Sequence, residues 1–276
     1  MKITEKFLKS KTGNEFDCED SIFISNDFAA VIDGVTSKSA RQYDNMKSGL
    51  ASSLIIKEAL NDLKYDSTAE EAIEFLTNSI YSLYEQSNLV DYLKTNPLER
   101  ASSSVVLYSK YRNEIWLVGD CQCLIDNVHY TNKKYIDELL ANVRALYLET
   151  EFKLGNITSN SIEVDPGREF ILPLLKRQSL FQNTTESKEY SYGILDGFKV
   201  PKSEIKIIPL EKAKNIVLAS DGYPILYSTL RKSENCLHRV IEDDPLCYKE
   251  FKTTKGVTKG NISFDDRAYL KIEITR

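Results

Sequence analysis

Three apolar runs in this 276-residue chain stop on an acid: FAAVIDG ends on Asp33-Gly34, EIWLVGD on Asp120, and NIVLASDG on Asp221-Gly222. Short runs of Ile, Val, Leu and Ala bounded by turn residues read as buried strands. Each therefore sets a carboxylate at the tip of a core strand. Two acid pairs stand just before strands instead, Glu19-Asp20 before SIFIS and Asp265-Asp266 before AYLKIEI. If these strands share one stacked pair of sheets, several acidic tips converge at one end. Few folds satisfy that condition.

Taken one at a time, the Asp-Gly pairs mean little, because Asp-Gly is a common hairpin turn whose residues tolerate positive φ. Asp196-Gly197, in GILDGFKVP, reads as such a turn and serves as an internal control. The set is different. Two carboxylates about 4 Å apart repel by about 4 kcal/mol at an effective dielectric near 20. Several together require a cation, and Mg²⁺ or Mn²⁺ is suited to carboxylate and water ligands.

The remaining periodicity completes the architecture. KITEKFL, SSVVLYS, QCLID and EIKIIPL read as further strands, with KYRN as a hairpin turn. Met46, Leu50, Leu54, Ile55, Ala59 and Leu63 recur at helical spacing, and Ala69, Ala72, Ile73, Leu76, Ile80, Leu83 and Tyr84 repeat it. Thr68, followed by Glu70 and Glu71, suits the start of that second helix. A third helix is expected from Lys134 to about Leu154, with Ile136, Leu139, Leu140, Val143, Leu146 and Tyr147 inward. One near REFILPLLKRQ should break at Pro173, and short helices should follow Asp221. Strands interleaved with helical pairs, without regular βα alternation, indicate an α+β chain. No repeat or linker divides residues 1–276, so a single domain is expected.

Composition narrows the function classes. A net charge of −5 and a pI near 5.4 argue against a nucleic-acid partner, which calls for a basic face. No run approaches the roughly 18 apolar residues of a membrane span, and charges in MKITEKFLKSKTG stand where an export signal would be apolar. Five cysteines without a framework spacing suit reduced thiols and a cytoplasmic location. Cys121 and Cys123 alternate along a strand and read as one packed face, and TTKGVTKGN (253–261) reads as a mobile loop. The two histidines lie in no metalloprotease pattern, and no Gly-x-Ser-x-Gly elbow occurs.

The ordered series of Glu19-Asp20, Asp33-Gly34, ASSSVVLY, Val118-Gly119-Asp120, Ser220-Asp221-Gly222 and Asp265-Asp266 resembles the metal-dependent serine/threonine protein phosphatases, the PPM or type 2C family. The resemblance spans nearly the whole chain. It implies an α-β-β-α sandwich of two antiparallel sheets, with two Mn²⁺ or Mg²⁺ ions between them and a phosphorylated protein or peptide as substrate. By position, Asp33 would bridge both ions and the Gly34 carbonyl would bind the second. Asp221 and Asp265 would hold the first, Glu19 and Asp20 the second, and Asp120 would belong to an optional third. In that family the two ions lower the pKa of a shared water, which attacks phosphorus in line.

Three positions depart from the family pattern. Glu15 stands where an Arg would grip the phosphate, Val35 where a His often follows Asp-Gly, and Ile225 where a third-ion acid is common. Either the ions alone hold the phosphate, or another cation has taken over, with Lys38 and Arg41 the nearest and Lys11 a third. Two readings follow: an active phosphatase, or a relative without useful turnover that serves as a regulatory binding module.

Overall fold

In the computed structural model, which describes residues 1–132, 134–158, 163–187 and 189–274, the apolar runs become the middle strands of two five-stranded antiparallel sheets. One sheet has the order β10 (Lys206–Pro209), β7 (Glu114–Val118), β6 (Ser103–Ser109), β3 (Phe28–Gly34), β2 (Ser21–Ile24). The other runs β1 (Lys2–Lys9), β12 (Arg267–Glu273), β11 (Asn215–Ala219), β8 (Gln122–Ile125), β9 (Val128–Thr131). Every residue of β6 is buried, and alternation explains why. Val106 and Tyr108 meet Leu218, Leu270 and both Cys121 and Cys123 between the sheets. Val105 and Leu107 face the opposite way, onto helices. Burial of each such Val, Leu or Ile contributes about 1.5–3 kcal/mol, so a continuous apolar run is what a doubly covered strand demands.

Helices lie outside both sheets, which gives the α+β sandwich its layers. The helices α1 (Ser48–Ala59) and α2 (Ala69–Gln86) cover the β3–β6 sheet through Ala51, Ile56, Ile73, Leu76, Ile80 and Tyr84. Thr68 caps α2 in a reciprocal box with Glu71, as the sequence indicated. A short α3 (Val90–Thr95) follows. Over the β11–β12 sheet lie Tyr223, Leu226 and Leu230, the last opening α6 (Leu230–Asp243), a single helix where several short ones were expected.

Two helices cover the end of the sandwich. In α4 (Tyr135–Leu154) and α5 (Pro166–Arg177), Ile136, Leu140, Ile171 and Leu175 pack together and against Val35, just past the tip of β3. The inward face of α4 differs from the expectation: Ala141, Arg144, Ala145 and Leu148 are buried, whereas Leu139 and Leu146 are exposed. Arg144 is the cause. A buried guanidinium sets the rotation of the helix, and apolar periodicity cannot register it. Helix α5 also runs unbroken through Pro173. The proline forfeits one backbone bond, while Ile171 and Leu175, buried on either side of it, hold the helix against α4. At the start of α1, Met46 belongs instead to a small hairpin of β4 (Gln42–Tyr43) and β5 (Met46–Lys47). Asp44 and Asn45 turn it with positive φ.

Candidate metal centre

Asp33 ends β3, Asp120 lies in the turn leaving β7, and Asp221 follows β11. The sheets stack so that one carboxylate oxygen from each falls within 4.8 Å of the others. Two Asp-Gly glycines are needed for this approach and not for a turn. A Cβ on Gly34 would lie 2.4 Å from the Gly49 oxygen and 2.5 Å from that of Glu19, and one on Gly222 would lie 2.1 Å from the Asp266 oxygen. Gly197 has the turn conformation, with φ +84°.

The three acids line a cavity of about 300 Å³ together with Asp265, Lys38, Lys134, Arg168 and Lys255. Desolvation within the cavity first, and then the neighbouring carboxylates, raise Asp33 and Asp221 above the usual carboxylate range, although Asp33 is only partly buried and Asp221 opens to solvent. Asp120 is oriented by the Ser104 hydroxyl, which donates to Oδ1 at 2.6 Å, and Lys134 Nζ stands 3.9 Å from Oδ2. Asp265 behaves differently. Burial opposes its charge, yet Lys255 at 2.5 Å and Lys11 at 3.7 Å outweigh burial and hold it below its ordinary range.

Glu19 and Asp20 are buried beside the triad. Lys11 Nζ and the Thr36 hydroxyl donate to Glu19 Oε2 at 3.2 and 2.9 Å. Glu19 Oε1 and Asp20 Oδ2 are buried without a hydrogen-bond partner among the described residues. Burial, with Asp266 next in weight, raises the Asp20 carboxyl well above its usual range. The crowded carboxylates of Asp33, Asp120 and Asp221 lack positive charge between them, so this donor set fits a hard divalent cation.

The two cations nearest Asp33 in sequence are placed differently. Arg41 does not line the cavity: its Nε donates to Glu99, and its guanidinium lies 5.1 Å from the centre of the Tyr92 ring. Lys38 does line it, and burial followed by the Lys134 charge lowers its pKa to about 8. The segment TTKGVTKGN is pinned, not free. Arg144 donates to the Thr253 carbonyl at 3.1 Å, the Gly256 N–H donates to Asp165, and Lys255 reaches Asp265. Sequence reading missed Lys134, Arg168 and Lys255, because nothing in their local pattern separates them from surface charge. Glu15 is exposed and Ile225 is 52 % exposed, and neither lines the cavity.

No family model and no curated protein matches this chain. Solved structures do resemble it. The Mycobacterium tuberculosis serine/threonine phosphatase PstP/Ppp is 15% identical with a TM-score of 0.47, covering 100% of both chains. The Staphylococcus aureus serine/threonine phosphatase Stp1 is 14% identical with a TM-score of 0.47, over 99% of this chain and 94% of that one. RsbX in complex with magnesium is 13% identical with a TM-score of 0.45, over 99% of each.

Proposed function

We infer that the chain is a divalent-cation-dependent phosphomonoester hydrolase acting on phosphoserine or phosphothreonine in a protein or peptide. The observation that carries this reading is the convergence of Asp33, Asp120 and Asp221 in a cavity also lined by Lys38, Lys134, Arg168 and Lys255. The acids suit a cation, and the bases suit a dianionic phosphate. The ordered motif series supports the same assignment. A Mn²⁺ or Mg²⁺ ion, when bound, supplies Lewis-acid charge and an activated water.

The chain's own residues bind and orient. Asp33, Asp120 and Asp221 would hold the ion, with Ser104 fixing the rotamer of Asp120. Lys38 and Arg168 would take the phosphate in place of the Arg that Glu15 replaces. Arg168 is held by its own contacts: its backbone N–H donates to Asp165, and its Nη1 donates to the Thr254 carbonyl at 3.0 Å. A planar guanidinium there can offer two parallel donors to phosphate oxygens. Lys38 and Arg168 would thus add fixed positive charge to that of the cation around a bound phosphoryl group.

Hydrolysis of an aryl phosphate and of a phosphothreonine peptide, with EDTA and with added Mn²⁺ or Mg²⁺, tests the reading. Turnover should vanish with EDTA and return with the ion, and Arg168→Ala should raise KM severalfold or more. Absence of turnover at saturating Mn²⁺ on both substrates would favour the binding-module alternative.

A further inference from the structure

Lys11 pairs with Glu19, one of the two acids to which the family resemblance assigns a second divalent ion. We propose that its ammonium takes that ion's place, so that the centre binds one divalent cation and not two. The inference rests on the divalent-cation reading above and deepens it.

The ammonium is surrounded by acceptors. Lys11 Nζ stands 3.2 Å from Glu19 Oε2, 3.5 Å from Asp266 Oδ2 and 3.7 Å from Asp265 Oδ1, and donates to the Thr36 hydroxyl at 3.0 Å. Three donors on one positive centre match this shell of carboxylates and a hydroxyl. The backbone is locked in the same frame. The Lys11 N–H donates to Asp266 Oδ1 at 2.7 Å, and the Glu19 N–H donates to Asp266 Oδ2 at 2.9 Å. Asp266 thus ties the segment after β1 to the acid pair before β2. A carboxylate at this position serves both N–H groups with separate oxygens, whereas an amide has only one oxygen to offer.

Asp265 is committed in the same way. Its Oδ1 faces Lys11, and its Oδ2 lies 2.5 Å from Lys255. Lys255 is held there by its loop, which Arg144 grips through the carbonyls of Leu246, Cys247 and Thr253. A carboxylate with an ammonium on each oxygen is a poor ligand for a dication. Around this cluster, among the described residues, ion pairs fall on Glu19, Asp120, Asp137, Asp265 and Asp266, and not on Asp20, Asp33 or Asp221. Two triad acids, Asp33 and Asp221, are therefore left without an ion pair, and the third, Asp120, meets only Lys134 at 3.9 Å. A divalent ion added at Glu19 would meet the ammonium with twice the repulsion of two unit charges at that spacing.

The test counts metal, independently of turnover. Mn²⁺ titrated into the metal-free chain by calorimetry, with bound metal measured after gel filtration, should give one ion in wild type. Lys11→Met should give two, and Lys11→Arg, which keeps the charge, should stay at one. Lys11→Gln is the second neutral variant, and thermal unfolding in EDTA checks that each chain folds. Electron paramagnetic resonance of the Mn²⁺-loaded wild type should show the hyperfine spectrum of an isolated ion, with no exchange-coupled pair. Two ions in wild type would overturn the inference and leave the divalent-cation reading intact. One ion in the folded neutral variants would equally overturn the part assigned to Lys11. Binding by none of these chains would overturn the divalent-cation reading, and the inference with it.

Discussion

At the scale of single residues, the charge state of the triad makes a prediction about the metal-free chain. Folding raises the Asp33 and Asp221 carboxyls. A carboxyl raised by folding binds its proton more tightly in the native state, so the stability it contributes is lost as pH climbs above the ordinary carboxylate range. In EDTA, Asp33→Asn should therefore unfold at a higher temperature than wild type near about pH 7.5, with the difference shrinking towards about pH 5. With Mn²⁺ the order should reverse, and kcat should fall by about 100-fold or more as charge stabilisation is lost. Equal melting temperatures at both pH values would refute the electrostatic account. Asp196 does more than turn the chain. It occupies an Asp-Gly turn, as read, but it is fully buried. Arg100 pairs with its Oδ2 at 2.8 Å, and Gln182, Asn183 and the Phe198 N–H also donate to it. Asp196→Ala should cost about 3–5 kcal/mol in urea unfolding by stranding the Arg100 charge. Asp196→Asn should cost less, since it keeps the shape and one acceptor.

At the scale of elements, α4, α5 and the 246–256 segment act as one unit through Arg144. Its Nη2 donates to Asp165 Oδ2 at 2.6 Å and to the Leu246 carbonyl at 2.7 Å, while Asp165 caps α5 through the Arg168 N–H. Removing the guanidinium leaves Asp165 charged, buried and short of a partner. Arg144→Leu should destabilise the fold by about 3–5 kcal/mol. It should also speed hydrogen exchange across residues 246–256 ahead of the strands. Arg144→Lys should not rescue either effect, because an ammonium cannot reproduce the planar fork. Unchanged exchange in that segment would show that other contacts hold it. A lysine two elements from the triad is thus placed by an arginine on a third, and the cavity depends on helix packing as much as on the strand tips.

At the scale of the whole molecule, the acidic end of the sandwich is a site of stored repulsion that a bound cation would relieve. An ion that binds only the native chain adds about 2.7 kcal/mol at a hundred times its Kd. Mn²⁺ should therefore raise the melting temperature by several degrees, at about 2–4 °C per kcal/mol for a chain of this class. The gain should be lost in Asp221→Asn. A melting temperature indifferent to Mn²⁺ would mean that the triad holds no ion.

Much of this was legible in the sequence because it depends on local pattern. Runs such as SSVVLYS and NIVLA can only be doubly covered strands, and the acids at their tips follow from chain order. The antiparallel α+β architecture could be named on that basis, and so could Asp33 and Asp221 as acids of one cluster. The family resemblance grouped Asp265 with them and gave Asp120 to an optional third ion, whereas the three carboxylates that meet are those of Asp33, Asp120 and Asp221. What the sequence left open depends on side chains distant along the chain. Whether Asp265 would meet a metal or Lys255, whether Arg41 would face the cavity or Glu99, and whether Arg144 would point outward or into the protein are decided by packing. The physical reason is that a strand announces itself by the period of its apolar residues, whereas an ion pair is set by distance between charges. Lys11 and Asp266 are 255 residues apart, and only the pairing of β1 with β12 brings them together.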